Sequence, residues 1–583
     1  MAVYWITEVL PLGVTALLPV IIFPMQGLLP ASEVCMHFVK DIVMFNIGCL
    51  TFAVAVETSN LHRRVALRTL MLMGSNPRLL LLGFMLPTWF ISMWISNTSA
   101  AAMMIPIVTA VLSEIRETRI KIPHTWNVGD VEGTENGGQF PMSNRTKLEK
   151  TGDASQAHVS TLLSETHVNG KSTSHSKENA DSLLDDDGCE AGTIPVASPS
   201  EYRRMCKAMS LCVAFAANVG GIGTLSGTGP NLIMLGIAQG VFHEYGLDSG
   251  VNFTSWMVFA LPVSILCITL AWVWMSLYFF WPKNIFRRRK DTQHEKDKDT
   301  LVRQIIRRQY EKLGPVSFAE KVVIGHFFVM VILWLSRRPP AGTGWGSLFK
   351  PKYVSDSATS LLIAMSLFLF PAEMPDFPFL NTGGGRPRSV RAILDWQTVQ
   401  KSYPWGVLLL MGGGFSLAHV CEVSGLSLWF GQRLATFNYL EPWQLTLVVS
   451  TIVALATELT SNAVTATLLL PILTQLAIEL SIHPLYLLLP ATIATSYAFM
   501  LPVSNPPNAI VFATNHLTVT DMIKSGWVLN MLGVLVVNLA INTWGMAYFQ
   551  LQTLPPEFHA YHLSLNTTAP PILVGNMTST VGL

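Results

Sequence analysis

Ser96-Asn97-Thr98-Ser99-Ala100-Ala101-Ala102-Met103-Met104-Ile105-Pro106-Ile107 and Ser461-Asn462-Ala463-Val464-Thr465-Ala466-Thr467-Leu468-Leu469-Leu470-Pro471-Ile472 share one pattern: a Ser-Asn pair with Pro-Ile beginning ten positions on. Each copy has a second polar break downstream, Gly227-Thr228-Gly229-Pro230-Asn231-Leu232-Ile233 and Ser504-Asn505-Pro506-Pro507-Asn508-Ala509-Ile510. Broken, polar, Pro-containing segments at corresponding places of two halves point to the binding site of a transporter. Ser96 and Pro230 are 134 positions apart and Ser461 and Pro507 only 46, so the first half carries 88 extra positions. A polar stretch of about that length, from near Glu114 to Arg204, lies between the two motifs of the first half.

Half of the 583 residues are hydrophobic, 13% are charged, and the mean hydropathy is +0.41. A soluble chain of this size would be about one-quarter charged. The charges cluster and leave apolar stretches near 2–27, 40–59, 77–112, 207–242, 255–281, 321–336, 357–371, 404–421, 444–480, 485–513 and 527–548. A membrane-spanning helix needs roughly 20 such residues. Three of the stretches are too long or too interrupted for one span, which fits re-entrant hairpins and broken helices. The expected fold class is an all-α polytopic membrane protein, an inverted-repeat transporter with two re-entrant hairpins and two broken helices.

The net charge of +1 argues against a nucleic-acid partner. Seven scattered cysteines without a Cys-x-x-Cys indicate neither zinc nor a disulfide framework. Met1 opens directly into Tyr4-Trp5, Glu8 and Pro11, unlike a signal peptide, and reads as a chain starting inside a membrane segment.

Basic clusters set orientation. Arg63, Arg64 and Arg68, then Arg203-Arg204, Arg287-Arg288-Arg289-Lys290 with Arg307-Arg308, and Arg386, Arg388 and Arg391 are all placed inside. That choice makes 77–112 a hairpin entered from the cytoplasm and 444–480 a hairpin entered from outside, with the Ser-Asn pairs at their tips. The domain plan follows. Residues 1–112 are first-repeat segments, and 113–204 form a disordered cytoplasmic loop. Residues 205–281 are a broken helix and a further span, and 282–320 a cytoplasmic loop. The second repeat is 321–548, with its broken helix at 485–513, and 549–583 form an extracellular tail. The tail's Asn566-Thr567-Thr568 and Asn576-Met577-Thr578 are glycosylation acceptors on the side where they matter. Arg337-Arg338 falls outside and breaks the rule.

Within hydrocarbon, irregular backbone survives only against protein or a water-filled cavity. A hairpin tip there frees carbonyl oxygens beside Ser, Thr and Asn oxygens, a donor set for a hard cation such as Na⁺. Free N–H groups at the same tips favour an anion. Bound Na⁺ lowers repulsion and orders the tip, and the anion follows. Several residues read either way. A Ser-Asn pair can be an interhelical hydrogen bond, and Gly412-Gly413-Gly414 either close packing or substrate contact. Glu57 and Glu458, acids in or beside apolar segments, are either functional or structural partners; Glu458, three residues before Ser461, could tune the outer site.

These motifs resemble the sodium-coupled divalent-anion symporters, the sodium–dicarboxylate/citrate and sodium–sulfate carriers. The resemblance covers nearly the whole chain. It includes Asn60-Leu61-His62-Arg63-Arg64, Ser92-Met93-Trp94-Ile95-Ser96-Asn97-Thr98, residues 227–231, Pro404-Trp405-Gly406, Gly412-Gly413-Gly414-Phe415, Ser461-Asn462, Met500-Leu501-Pro502-Val503 and Pro506-Pro507-Asn508. It implies a homodimer working as an elevator, a transport domain moving against a scaffold in the plasma membrane, with Na⁺ as co-transported ion and no organic cofactor. It implies one Na⁺ site at Asn97, Gly223, Gly227 and Asn231, and another at Thr457, Asn462, Ser504, Pro506 and Asn508. Substrate would contact Ser96, Asn97, Thr98, Thr228, Gly229, Ser461, Asn462 and Ala463. Gly229-Pro230 and Ala463 resemble the carboxylate carriers, so succinate-, malate- or citrate-type substrates are favoured over sulfate, the alternative. The first family helix and part of the second are missing. Ser336-Arg337-Arg338-Pro339-Pro340 stands where the family has Ser-Arg-acid-Pro-Gly, and Ser504-Asn505 mixes the two branches. No His-Glu-x-x-His, Gly-x-Ser-x-Gly or paired intramembrane aspartates suggest an enzyme, and no apolar segment carries the basic rings of an anion channel.

Overall fold

The computed structural model describes residues 3–4, 9–73, 76–117, 119–121, 193–195, 199–280, 300, 303–304, 306–339, 343–350, 353–374, 390–426 and 440–558. The glycosylation acceptors Asn566 and Asn576 lie outside the described residues, as do most of 113–204 and 282–320.

The first half is built from α1 (Leu12–Thr15), α2 (Leu18–Met25), α3 (Ala31–Met36), α4 (Asp41–Thr58), α5 (Leu61–Met73), α6 (Pro77–Ser92), α7 (Asn97–Glu117), α8 (Pro199–Ile222), α9 (Gly229–Glu244) and α10 (Phe253–Phe280). The second half contains α11 (Phe318–Arg337), α12 (Asp356–Leu369), α13 (Trp396–Ser402), α14 (Trp405–Val423), α15 (Pro442–Leu459), α16 (Asn462–Glu479), α17 (Pro484–Ala494), α18 (Pro506–Phe512), α19 (Val519–Ala540) and α20 (Met546–Phe549). A π-helical turn, Ile541–Gly545, joins the last two. Among the described residues, seven helices are long and apolar enough to cross a membrane. An eighth results if α13 and α14, bent by 64° at Tyr403-Pro404, count as one span. This is a polytopic helical membrane protein.

The all-α reading needs one addition, a ladder of β1 (Arg119–Lys121) with β2 (Thr193–Pro195), in which Ile120 faces Ile194. β-branched residues suit such pairing, and both strands fall within the span read as disordered. Helix also covers 113–117 and 199–204 of that span. Helix α7 runs through Pro106 and on to Glu117.

Helix breaks at 93–96, 223–228, 460–461 and 495–505 interrupt the stretches 77–112, 207–242, 444–480 and 485–513, one break in each. The duplication is visible in the element starts: Pro77 and Pro442 open α6 and α15, and Asn97 and Asn462 open α7 and α16, all at an offset of 365. Beyond the polar insertion the offset drops to 277, which relates Gly229 to Pro506 at the starts of α9 and α18. Asn46 and Met411 are also 365 apart, and Asn46 Nδ2 reaches Met411 Sδ at 3.5 Å, as positions beside a pseudo-two-fold axis do.

The halves interleave. Helix α8 packs against α6, α10 and α18; α9 packs against α14, α16 and α17; α10 lies against α19. Gly412, Gly413 and Gly414 bring α14 against Phe38, Ala16 and Thr467, so this run is close packing. Arg337 is buried and paired with Asp356 at 2.5 Å, and Arg338 with Asp248 at 3.3 Å. The pair that broke the charge rule is thus neutralised locally.

Candidate functional site

Each Ser-Asn pair begins a helix, and its serine caps it. Ser96 Oγ accepts Ser99 N–H at 3.2 Å, and Ser461 Oγ accepts Val464 N–H at 3.4 Å. Serine at this position satisfies an N–H that the helix cannot. The asparagines behind them are buried and held alike. Ser92 Oγ donates to Asn97 Oδ1 (2.8 Å), and its oxygen lies 2.7 Å from Ala217 O. Thr457 Oγ1 lies 3.0 Å from Asn462 Oδ1 and 2.7 Å from Thr495 O. Thr457 had been singled out; Ser92 had not, although it too stands five residues before its asparagine.

The downstream breaks match in finer detail. Asn231 Nδ2 donates to Gly221 O (3.0 Å) and Thr224 O (2.8 Å), ten and seven residues back. Asn508 Nδ2 donates to Ala498 O (2.9 Å) and Leu501 O (2.9 Å), also ten and seven residues back, and to Ser504 Oγ at 3.0 Å. In both, the amide's Oδ1 is buried and without a partner. A buried acceptor left unpaired costs about 1–3 kcal/mol. Two such oxygens in equivalent places, each beside freed carbonyls, form an all-oxygen donor set suited to a hard cation.

Tips and breaks come together. A methyl built on Gly221 would overlap Asn97 Oδ1, and one on Gly227 would lie against Gly221 O. Only glycine allows this approach. Gly223 faces Met93 at the first tip. A methyl on Gly229 would stand 3.7 Å from Ala463 Cβ and 3.8 Å from Val407 Cγ1. The first break therefore meets the second tip, with Val407 of α14 alongside. Thr228 precedes α9 without a side-chain cap; Pro230 has no N–H and Asn231 N–H goes to Thr228 O at 3.3 Å, so the Gly229 N–H is the first-turn donor left to an anion. Thr98 and Pro506 are exposed, while Ser96, Thr228, Gly229, Ser461 and Ala463 are half-buried, so this region is open. Asn505 caps α18, accepting Asn508 N–H at 3.0 Å.

Glu458 is buried, and every contact it makes is with an N–H group. Oε1 accepts Phe499 N–H (2.7 Å), Met500 N–H (2.9 Å) and Asn530 Nδ2 (2.7 Å); Oε2 accepts Met500 and Leu501 N–H (both 3.1 Å). The carboxylate thus braces the uncoiled 499–501 segment whose neighbours bind Asn508. The offset of 365 places Met93 at its counterpart, so the first site has no such charge. Glu57 is exposed at the end of α4. A cavity of about 410 Å³ lies elsewhere, beside His37, Lys40, Phe415 and His419.

The family described as "Sodium:sulfate symporter transmembrane region" matches residues 1–551. The mouse Na(+)/dicarboxylate cotransporter 3 is 38% identical over 586 residues, covering 100% of this chain and 92% of that protein. The rat Na(+)/citrate cotransporter is 38% identical over 97% of this chain and 92% of its own length. Rabbit solute carrier family 13 member 2 is 40% identical over 98% and 92%. The first two are named as Na(+) cotransporters. The chain belongs to the sodium:sulfate symporter family.

Proposed function

We propose that this protein is a sodium-coupled symporter that imports di- and tricarboxylates of the succinate, malate or citrate type. The observation that carries the reading is the pair of equivalent oxygen sites, Asn97 with Asn231 and Asn462 with Asn508, whose Oδ1 atoms at 231 and 508 lack partners. The names of relatives at 38% identity over nearly full length support carboxylates as substrates. One sodium ion is held by Asn97 and Asn231 with backbone oxygens near Gly223 and Gly227, the other by Thr457, Asn462, Ser504 and Asn508 with backbone near Pro506. The substrate sits in the open region between Ser96, Thr98, Thr228, Gly229, Ser461 and Ala463, where the N-terminal ends of α7, α9 and α16 favour its negative charge.

Sodium occupies the donor oxygens first and makes the neighbourhood attractive to the anion. The helix pairs α6–α7 and α15–α16 serve as re-entrant hairpins, the cytoplasmic one entered at 77–112. The protein works as a homodimer in the plasma membrane by an elevator movement, with the 113–204 segment inside and the glycosylated tail outside.

Replacing external Na⁺ by choline is expected to abolish uptake of labelled succinate and citrate; uptake indifferent to the exchange rejects the reading. Asn97→Ala and Asn462→Ala are each expected to abolish uptake while surface expression persists. Sulfate symport is the second reading, favoured by the family description. Unlabelled sulfate outcompeting unlabelled succinate would decide for it.

A further inference from the structure

Helix α8 runs between the two sites, and two adjacent residues on it touch one site each. The Ala217 carbonyl lies 2.7 Å from Ser92 Oγ, whose single proton it competes for with Asn97 Oδ1 at 2.8 Å. One residue on, Asn218 Nδ2 donates to Ala498 O at 3.3 Å. The same carbonyl receives Asn505 Nδ2 at 3.0 Å and Asn508 Nδ2 at 2.9 Å. Asn218 therefore ties a helix of the first half to the carbonyl around which the second site is organised. The tie has no mirror image: the position equivalent to Asn218 is Thr495, whose Oγ1 turns back to Thr492 O at 2.7 Å.

Packing alone is a poor account of this residue. Asn218 is fully buried and its Oδ1 has no partner. An unpaired buried acceptor is costly, and an apolar side chain of similar size would avoid it. A simple adhesive role between helices is the plain alternative. It would support folding without touching the shape of the sodium response.

We propose that Asn218 is a positioning residue that couples the two sodium sites, so that filling one raises the affinity of the other. The inference rests on the reading of the two breaks as sodium sites. A cation at Asn97 orders Ser92 and, through it, the backbone of α8 at Ala217. The adjoining amide of Asn218 then holds Ala498 O in the orientation in which Asn505 and Asn508 complete the second site. Coupling between binding sites is reciprocal, so sodium at the second site favours the first equally.

The test is uptake of labelled succinate by the full-length protein as a function of Na⁺ concentration. The parent is expected to give a sigmoidal curve. Asn218→Ala and the volume-matched Asn218→Leu are expected to lower the Hill coefficient towards one and raise half-saturating sodium, with surface expression retained. Ser210→Ala, which removes an unpartnered buried hydroxyl elsewhere on α8, is expected to leave the slope alone. An unchanged slope in both Asn218 variants overturns the proposal. If both variants lose uptake, sodium protection of the purified proteins against heat decides: a curve as steep as the parent's overturns it, a shallower one supports it. A parent with no sodium dependence refutes the functional reading itself, which is a different result from a sodium-dependent parent whose slope survives substitution.

Discussion

Ser92 and Thr457 each hold an asparagine oxygen in place with one hydroxyl. Net hydrogen bonds of this kind contribute about 1 kcal/mol, roughly fivefold in an equilibrium constant. Ser92→Ala and Thr457→Val are therefore expected to raise half-saturating sodium by about that factor and to leave maximal uptake at saturating sodium nearly intact, as sodium titrations of succinate uptake would show. Glu458→Gln is a harsher change. The amide cannot accept on its nitrogen, so at least one N–H of the partly buried 499–501 segment loses its partner. Its expected result is loss of most sodium-dependent uptake, read beside surface expression. The four asparagines 97, 231, 462 and 508 were legible in sequence because each stands in a repeated motif. Ser92, Asn218 and Asn530 were not. A lone polar residue in an apolar helix usually bonds its own turn, and only the packing of one helix on another turns these three outward.

Among the elements, α17 and the α11–α12 connection make the sharpest predictions. His483 caps α17, its Nδ1 accepting Leu485 N–H at 3.3 Å, and burial pushes its pKa down to about 4. The unfolded chain takes up this proton near the ordinary value of 6.5 and the folded protein only near 4. The stabilisation is thus complete above pH 6.5 and is lost as pH falls towards 4. Linkage gives about 2 kcal/mol lost by pH 5, so the melting temperature should fall between pH 7 and 5, and His483→Asn, which keeps a cap, should flatten that fall. At the other connection, Arg337→Met should leave the half-buried Asp356 carboxylate without its ion-pair partner, with Phe253 N–H still donating to it, and cost about 3 kcal/mol, measured as loss of folded protein after detergent extraction. Arg338→Ala should cost little, because that ion pair is half exposed. Breaks at 93–96 and 460–461 were legible because Ser-Asn interrupts an apolar run. The extent of helix into 113–117 and 199–204 was not, since polar composition marks solvent exposure and carries no helical period.

For the whole molecule, the decisive contact joins the halves. Cβ atoms at 229 and 463 would stand 3.7 Å apart, a separation that suits a disulfide. Gly229→Cys with Ala463→Cys should therefore cross-link on mild oxidation, close the open region and stop uptake, and a reductant should restore it. Uptake that continues after complete cross-linking would place the substrate elsewhere. By itself the sequence determined the class: apolar runs of spanning length, a duplicated Ser-Asn motif and a paired Pro-Asn break follow from local composition and spacing. Which break faces which tip belongs to the tertiary structure alone, as do the carbonyls that each asparagine amide bonds and the carboxylate that braces the second site. Those relations are set by helices packing across hundreds of intervening residues, and no local pattern records a contact made at that distance.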